Sequence, residues 1–395
     1  MRTLQSGLLA SVALLGCFAA QAADLPAKQA APANYVLACP AMGAGFFTIP
    51  GSETCIAFSG YVRNRISDQV IGGTVSRTVA PFSADVTFRL NTDVRSITEF
   101  GIVRGFSRVI ATSATVPSST LTVTNGSSYL NQGYIQFAGI SAGLQESYFL
   151  GSNSTGSTII TTDDGAAGNQ TNSAGYNAGV QTSIGYSGSL SGGFSYGVAL
   201  EDPVSRLGRT SSTYYGASQY PDVVGKMGYV TGPLSLSFMG ATHQNAGLTS
   251  GEIMGYAGQT FIKYTVSPET QLFAQATYAY GAMSYLGVKD LILVDHKDAD
   301  LDGGSVADGY NFVGGIIQKA GPGNIQLVGT YGVSTPDIVT DTTPSDTTVT
   351  QGEINYDWSP VKNLKVIPAF AYTRKNYDDA DTNSGSFRLT IRRDF

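Results

Sequence analysis

The sequence predicts an all-β fold, a transmembrane antiparallel up-and-down β-barrel of about sixteen strands, and three observations indicate it. Only 13% of the 395 residues are charged, whereas a water-soluble domain usually carries about twice that fraction. The mean hydropathy is near zero, at +0.01, although the chain contains 48 glycines and 22 tyrosines. Polar and apolar residues alternate along most of the chain, as in strands with one lipid-facing and one polar side.

The first segment, residues 1–22, has the features of a secretory signal peptide. Arg2 supplies a positive start, residues 8–15 are apolar, and residues 20–22 read Ala-Gln-Ala, an A-x-A cleavage site. Residues 14–17 resemble a lipoprotein cleavage box, which is the competing interpretation. Cleavage after residue 22 removes one basic residue and no acid, so the net charge of −6 becomes one unit more negative. A mildly acidic protein argues against nucleic acid as a partner.

Residues 23–54 are predicted to form a periplasmic lead-in, and residues 55–395 to form the barrel. Once Cys17 leaves with the signal peptide, Cys39 and Cys55 are the two remaining cysteines. An even pair in an exported protein predicts a disulfide. Such a bond would stabilise the fold by about 3 kcal/mol. Two unpaired thiols are the alternative.

Short turns and long polar stretches alternate along the chain. The short turns join paired alternating segments and lie at residues 231–233, 267–270, 321–323 and 359–360. The long polar stretches lie at residues 202–222, 244–255, 282–308, 335–350 and 375–384. This sorting predicts short turns on the periplasmic side and long loops outside. An even strand count lets the barrel close without an edge, which lipid requires because it cannot satisfy unpaired backbone groups.

The last nine residues, 387–395, form an amphipathic strand that ends in Phe395. This ending resembles the signal by which the barrel-assembly machinery recognises a barrel for insertion, although Arg393 interrupts its apolar face. An ordinary edge strand is the alternative. Several aromatic residues are candidates for the girdle at the membrane interface, with plain strand packing as the other interpretation: Tyr134, Tyr278, Tyr280, Tyr356 and Trp358.

Several segments resemble the alphaproteobacterial general-porin family. The most specific is residues 38–55, ACPAMGAGFFTIPGSETC, and the others lie at residues 59–63, 133–139, 200–203, 220–224, 271–278 and 281–287. These segments span nearly all of the chain after residue 22. The resemblance implies a homotrimeric, sixteen-stranded pore in the lipids and lipopolysaccharide of the outer membrane. It also implies a third loop that folds into the lumen and constricts it, and passive diffusion of small hydrophilic solutes and ions.

Strand alternation and this resemblance together identify candidate constriction residues. Apolar residues of the first three strands share one parity, so the arginines between them should face the lumen. A charge on the lipid face at the midplane would cost about 2–4 kcal/mol. The third loop, at about residues 151–179, contains only two charged residues. Facing charges of opposite sign would create a transverse field across the pore, although a surface loop tip is the alternative for the acidic pair. The candidates are Arg63, Arg65, Arg89, Arg95, Arg104, Arg108, Asp163 and Asp164.

Enzyme and cofactor chemistry are not indicated by the sequence. The two histidines, His243 and His296, lie in no recognisable motif, with His243 predicted on the inward side at a strand end. Residues 298–303 match the start of a calcium loop, but its twelfth position is Gly309 rather than Glu. We expect no cofactor. A structural or adhesive barrel with a plugged lumen and a barrel hydrolase remain as alternatives, and a count of sixteen strands favours the open pore.

Overall fold

A computed structural model of the chain describes residues 37–71, 82–115, 123–150, 179–206, 218–246, 251–286, 299–300, 305–335, 346–377 and 380–395. The predicted signal peptide and the acidic pair Asp163 and Asp164 lie outside these residues. Among the residues described, no helix is long and apolar enough to cross a bilayer.

Sixteen antiparallel strands form the barrel, and each pairs with the next along the chain. The first eight are β1 Thr54–Ile71, β2 Phe82–Thr98, β3 Gly101–Thr115, β4 Val123–Phe137, β5 Ile140–Glu146, β6 Val180–Ser189, β7 Phe194–Glu201 and β8 Asp222–Thr231. The last eight are β9 Leu234–Ala246, β10 Glu252–Ser267, β11 Thr270–Tyr280, β12 Asp308–Ala320, β13 Gly323–Thr335, β14 Thr347–Val361, β15 Leu364–Tyr377 and β16 Ala380–Asp394.

The last strand pairs with the first and closes the barrel. In this pairing Leu389 lies opposite Ile66. At the end of the chain, Gly60 and Phe395 exchange two backbone hydrogen bonds of 3.0 Å each. The Phe395 ring stacks on Phe88, with 6.2 Å between centroids. The predicted closed barrel of about sixteen strands is therefore confirmed, and none of its sixteen described strands leaves an edge for lipid.

Alternation along the strands sorts apolar side chains outward and polar side chains inward. On β14, Ile354 is 46% exposed, whereas the flanking Glu353 and Asn355 are buried. The outward apolar face matches a lipid-facing surface. Tyr134 departs from the girdle interpretation, because it shares the inner face of β4 with the buried Gln132. The inner face is not uniformly polar, since Phe261, Phe273, Val313 and Val328 form a buried apolar cluster.

Two stretches predicted as long loops, residues 244–255 and 375–384, are mostly strand. β9 continues to Ala246, opposite Glu252 of β10, and β15 continues to Tyr377, opposite Ala380 of β16. At the end of β9 the polar residues His243, Gln244 and Asn245 are buried, so backbone pairing continues there without an apolar alternation. Periodicity therefore placed these two strand ends too early.

The strands differ in length around the barrel. β1 to β4 have 15–18 residues, but β5 to β8 have only 7–10. We call β5–β8 the low wall. The third loop leaves the barrel here, after Glu146.

The lead-in is fixed to the start of β1. Residues Leu37–Ala38 pair with Phe47–Thr48, which pairs in turn with the first residues of β1. The disulfide between Cys39 and Cys55 has an S–S distance of 2.02 Å and a Cα–Cα distance of 6.2 Å. The predicted disulfide is therefore confirmed, and it joins the lead-in to the short-turn end of the barrel.

Candidate pore-lining site

Eight arginines lie side by side on the inner faces of β16, β1, β2 and β3. Each alternates with outward residues, as for Arg63, which is buried beside the exposed Val62. We call this surface the arginine wall. Its members are Arg63, Arg65, Arg89, Arg95, Arg104, Arg108, Arg388 and Arg392. It contains all six arginines predicted from the sequence, and the structure brings them together on one side of the lumen.

Asp85 and Tyr61 contact the guanidinium groups of four arginines of the wall. Arg63 and Arg65 both pair with Asp85, at 3.1 and 2.6 Å. Arg63 also donates to Thr87 Oγ1 at 2.8 Å. The guanidinium carbons of Arg89 and Arg392 lie 5.4 and 4.3 Å from the Tyr61 ring centroid. These contacts fix the direction in which each guanidinium points, which a pore with a defined charge pattern requires.

Arg95 and Arg104 share Asp93 near the short-turn end of the barrel. Their closest nitrogen–oxygen distances to Asp93 are 2.8 and 2.9 Å. Arg95 also donates to the Met42 carbonyl at 3.3 Å and lies 4.6 Å from the Phe46 ring centroid. Arg95 therefore binds the lead-in as well as its own acid, a contact that strand parity could not predict.

Sequence reasoning missed two members of the arginine wall, Arg388 and Arg392. The same alternation would have found them, because Phe387 and Ile391 on the same strand face outward. Arg388 lies 3.6 Å from Glu353, and Arg392 lies 2.7 Å from Asp394. Seven of the eight arginines pair with five described carboxylates, Asp85, Asp93, Glu146, Glu353 and Asp394, so the wall carries a positive excess over these acids.

The root of the third loop is held by a buried ionic group. Ser147, directly after β5, donates to Glu201 at 2.8 Å. The Tyr148 amide donates to the same carboxylate at 2.7 Å. Arg206 pairs with Glu201 at 3.1 Å and donates to Ser147 Oγ at 2.7 Å. All three ionic or hydroxyl side chains are buried. The described start of the third loop therefore turns inward and packs on the inner wall.

Asp222, His243 and Tyr285 extend this buried group. His243 Nδ1 lies 2.9 Å from Asp222 Oδ1, and the Tyr285 hydroxyl donates to Asp222 Oδ2 at 2.7 Å. The Arg206 guanidinium lies 3.8 Å from the Tyr285 ring centroid. Burial raises the pKa of Tyr285 well above its usual value, so the phenol keeps its proton and donates it. His243 is thus on the inner side, as predicted. We call Ser147, Glu201, Arg206, Asp222, His243 and Tyr285 the root network.

The root network joins the starts of three loops, those after β5, β7 and β11, to the barrel rim. No sequence motif indicated it, because its members lie far apart in the chain and meet only through strand pairing. Within the described ranges, no group of three His, Cys, Asp or Glu side chains could hold a metal ion.

Comparison with known proteins identifies a family. The sequence profile of the Porin subfamily matches residues 24–390. Porin Omp2b from Brucella suis is 34% identical over 239 residues, which cover 58% of this chain and 63% of that protein. The chain thus aligns with less than two thirds of the length of this relative.

Solved structures share the fold. An outer membrane channel of Acinetobacter baumannii, DcaP, is 17% identical, with a TM-score of 0.66, and the match covers 87% of this chain and 98% of that one. A trimer form of OmpT, an outer membrane protein of Vibrio cholerae, is 11% identical, with a TM-score of 0.52 and coverage of 87% and 100%. At these identities the likeness concerns the fold alone.

Proposed function

The chain belongs to the Porin subfamily and is a multi-pass protein of the outer membrane, and from this membership we propose that it forms a water-filled channel for passive diffusion of small hydrophilic solutes and ions. The observation that carries the proposal is the closed sixteen-stranded barrel with a polar, ion-paired inner face. A barrel of this strand number is wide enough for an aqueous lumen. Its activity is transport rather than catalysis.

We propose that the arginine wall forms one side of the constriction. Arg63, Arg89 and Arg108 lie near mid-height on their strands. Asp163 and Asp164 of the third loop are proposed to face them from inside the lumen. The inward turn at Ser147 supports this placement, because it directs the loop towards the barrel interior. Opposed charges at a narrow aperture order water and disfavour apolar solutes.

The low wall supports a homotrimer. The seven residues of β5 extend over about 23 Å and, tilted by about 45°, cross about 16 Å of membrane. The apolar band of an outer-membrane barrel is about 25 Å tall. Yet the outer face of the low wall exposes Ile184, Leu200 and Met227. A second copy covering this side would bury these side chains and remove the mismatch. The trimeric form among the structures of the same fold is consistent with this arrangement.

The remaining proposals concern insertion and surroundings. Phe395 is proposed as the insertion signal for the barrel-assembly machinery, and its backbone pairing with Gly60 places it at the seam between β16 and β1. The outward apolar faces of the other strands are proposed to contact outer-membrane lipids and lipopolysaccharide.

Conductance in planar bilayers tests the channel and its charge pattern together. The wild-type protein should conduct KCl. Arg89→Glu should shift the reversal potential in a salt gradient towards cation preference, because it replaces a positive charge on the inner face with a negative one. Arg374→Glu changes an exposed arginine on the outer face of β15 and should leave the reversal potential unchanged. A folded protein without conductance contradicts the channel, and equal reversal potentials for Arg89→Glu and wild type contradict the constriction.

A further inference from the structure

A polar cavity of about 400 Å³ opens on the inner wall between the arginine wall and the low wall. Its size lies in the range of small-molecule sites, roughly 300–1,000 Å³. Its charged lining side chains are Arg104, Arg108, Glu146 and Lys226, and its neutral lining includes Gln132 and Gln145. The excess charge of this lining is positive.

Lys226 of β8 is the unusual member of this lining. Its side chain is buried, with 7% exposure. Its Nζ lies 4.0 Å from the Tyr148 ring centroid. Among the described residues, none forms a hydrogen bond or an ion pair with it. By contrast, Lys365, another inner-face lysine, pairs with Asp357 at 2.8 Å. Glu146 and Glu201 act on Lys226 electrostatically, but neither forms an ion pair with it. A buried ammonium is costly unless an anion contacts it directly, so a negatively charged ligand on Lys226 would stabilise its charged form.

The position of Lys226 is fixed by its surroundings. Gly197 lies opposite it on β7, and a Cβ at Gly197 would come within 2.8 Å of Lys226 Cε and 2.9 Å of the Tyr148 ring. The glycine therefore leaves space for both side chains. The Tyr148 hydroxyl is in turn hydrogen-bonded to Ser141 at 3.0 Å. The ammonium thus packs on a ring that is itself held by a hydrogen bond, and such ordering before a ligand arrives reduces the entropic cost of binding.

The other cavity residues suggest the rest of the ligand. Arg104 is held by Asp93, and Glu146 lies 3.8 Å from Arg108 and accepts from Gln132 at 3.1 Å. Lys226 is therefore the main site for an anionic group. The cavity lining also contains side-chain amides and two serines, Ser141 and Ser187, whose donors and acceptors match hydroxyl groups.

We propose that this cavity binds small hydroxylated carboxylates, with the carboxylate on Lys226 and the hydroxyl groups on the surrounding amides. The inference rests on the proposed channel, because the cavity opens into its lumen. The site would select among the solutes that diffuse through the pore.

Gluconate titration of the open channel tests the proposal. Single-channel current in KCl is measured while sodium gluconate is added, with glucose as the uncharged analogue. Wild-type conductance should fall saturably with gluconate, and glucose should require an at least tenfold higher concentration for the same effect. Lys226→Met should raise the half-saturating gluconate concentration at least tenfold. Lys263→Met is the matched control, because it removes an inner-face lysine outside the cavity, and should change that concentration less than twofold.

The outcomes separate this inference from the channel itself. Absence of any KCl current contradicts the proposed function. A normal KCl current that gluconate does not change overturns the binding site, as does equal potency of gluconate and glucose on the wild type. Equal half-saturation in wild type and Lys226→Met overturns the role of Lys226. The comparison of gluconate with glucose needs no variant, so a folding defect of Lys226→Met leaves the proposal testable.

Discussion

Replacing Arg206 by methionine should destabilise the barrel strongly, because it removes the cation of the root network. Arg206 and Glu201 are 2% and 0% exposed at their side chains. Methionine has similar length but no charge, so the Glu201 and Asp222 carboxylates would remain buried without their guanidinium. The variant also loses the hydrogen bond to Ser147 and the contact with the Tyr285 ring.

The size of the effect follows from burial. Removing one partner of a buried ion pair costs about 3–5 kcal/mol, because the remaining charge loses its compensation. Solvent screening does not reduce this figure here, since both side chains are almost completely buried. We therefore expect Arg206→Met to lower the free energy of unfolding by about 3–5 kcal/mol. Glu201→Gln added to Arg206→Met should restore part of the loss.

Urea unfolding in lipid vesicles measures the change, and Arg374→Met provides the matched control. Arg374 pairs with Asp381 at 2.6 Å, a shorter distance than that between Arg206 and Glu201, but these side chains are 59% and 42% exposed. If burial decides the energy, the control should unfold as the wild type does. An Arg206→Met protein within about 1 kcal/mol of wild type, well below the cost of a broken buried pair, would refute the reasoning. A control that loses as much stability as Arg206→Met would refute it equally.

Two further predictions concern the disulfide and the low wall. Replacing Cys39 and Cys55 with alanine should lower the free energy of unfolding by about 3 kcal/mol, because the unfolded chain regains the entropy of an open loop. Urea unfolding with and without reductant measures this change. A wild-type protein whose unfolding does not respond to reductant would contradict the prediction. Ile184→Arg on the low wall should yield monomers in mild detergent, because it places a charge where a second copy is proposed to pack. Phe312→Arg, on the outer face of β12, should leave the proposed trimer intact. Sedimentation of both variants measures the oligomeric state, and trimers of Ile184→Arg, or monomers of both variants, would contradict packing through the low wall.

The sequence predicted those features that depend on local alternation. Residues two apart lie on the same face of a strand, so the inward position of Arg63 and Arg89 followed from their apolar neighbours alone. The same rule applied to β16 would also have found Arg388 and Arg392. It failed at the ends of β9 and β15, which continue to Ala246 and Tyr377, because the polar sequence there carries no apolar alternation.

The buried contacts could not be predicted in this way. Glu201, Arg206 and Ser147 meet because β5 and β7 of the low wall end at the same rim of the barrel. The spacing of these residues in the sequence does not predict that their strands end together. That Lys226 forms no ion pair with a described residue likewise depends on how several strands are placed around it. Which charged residues meet across the barrel is known only from the three-dimensional structure, so the balance of charges at such a site cannot be counted from the sequence.

The base of the third loop is closed by its own backbone, since the Ser147 amide donates to the Gly179 carbonyl at 3.1 Å. Ser147 and Gly179, the described residues on the two sides of the loop, are thus joined at one point of the rim. Lengthening a closed loop adds little entropic cost, about 0.6 kcal/mol for a doubling. The loop can therefore be exchanged for one of another length or charge without rebuilding the barrel. In this respect the barrel and the third loop are separable parts, and the loop can vary while the barrel stays the same.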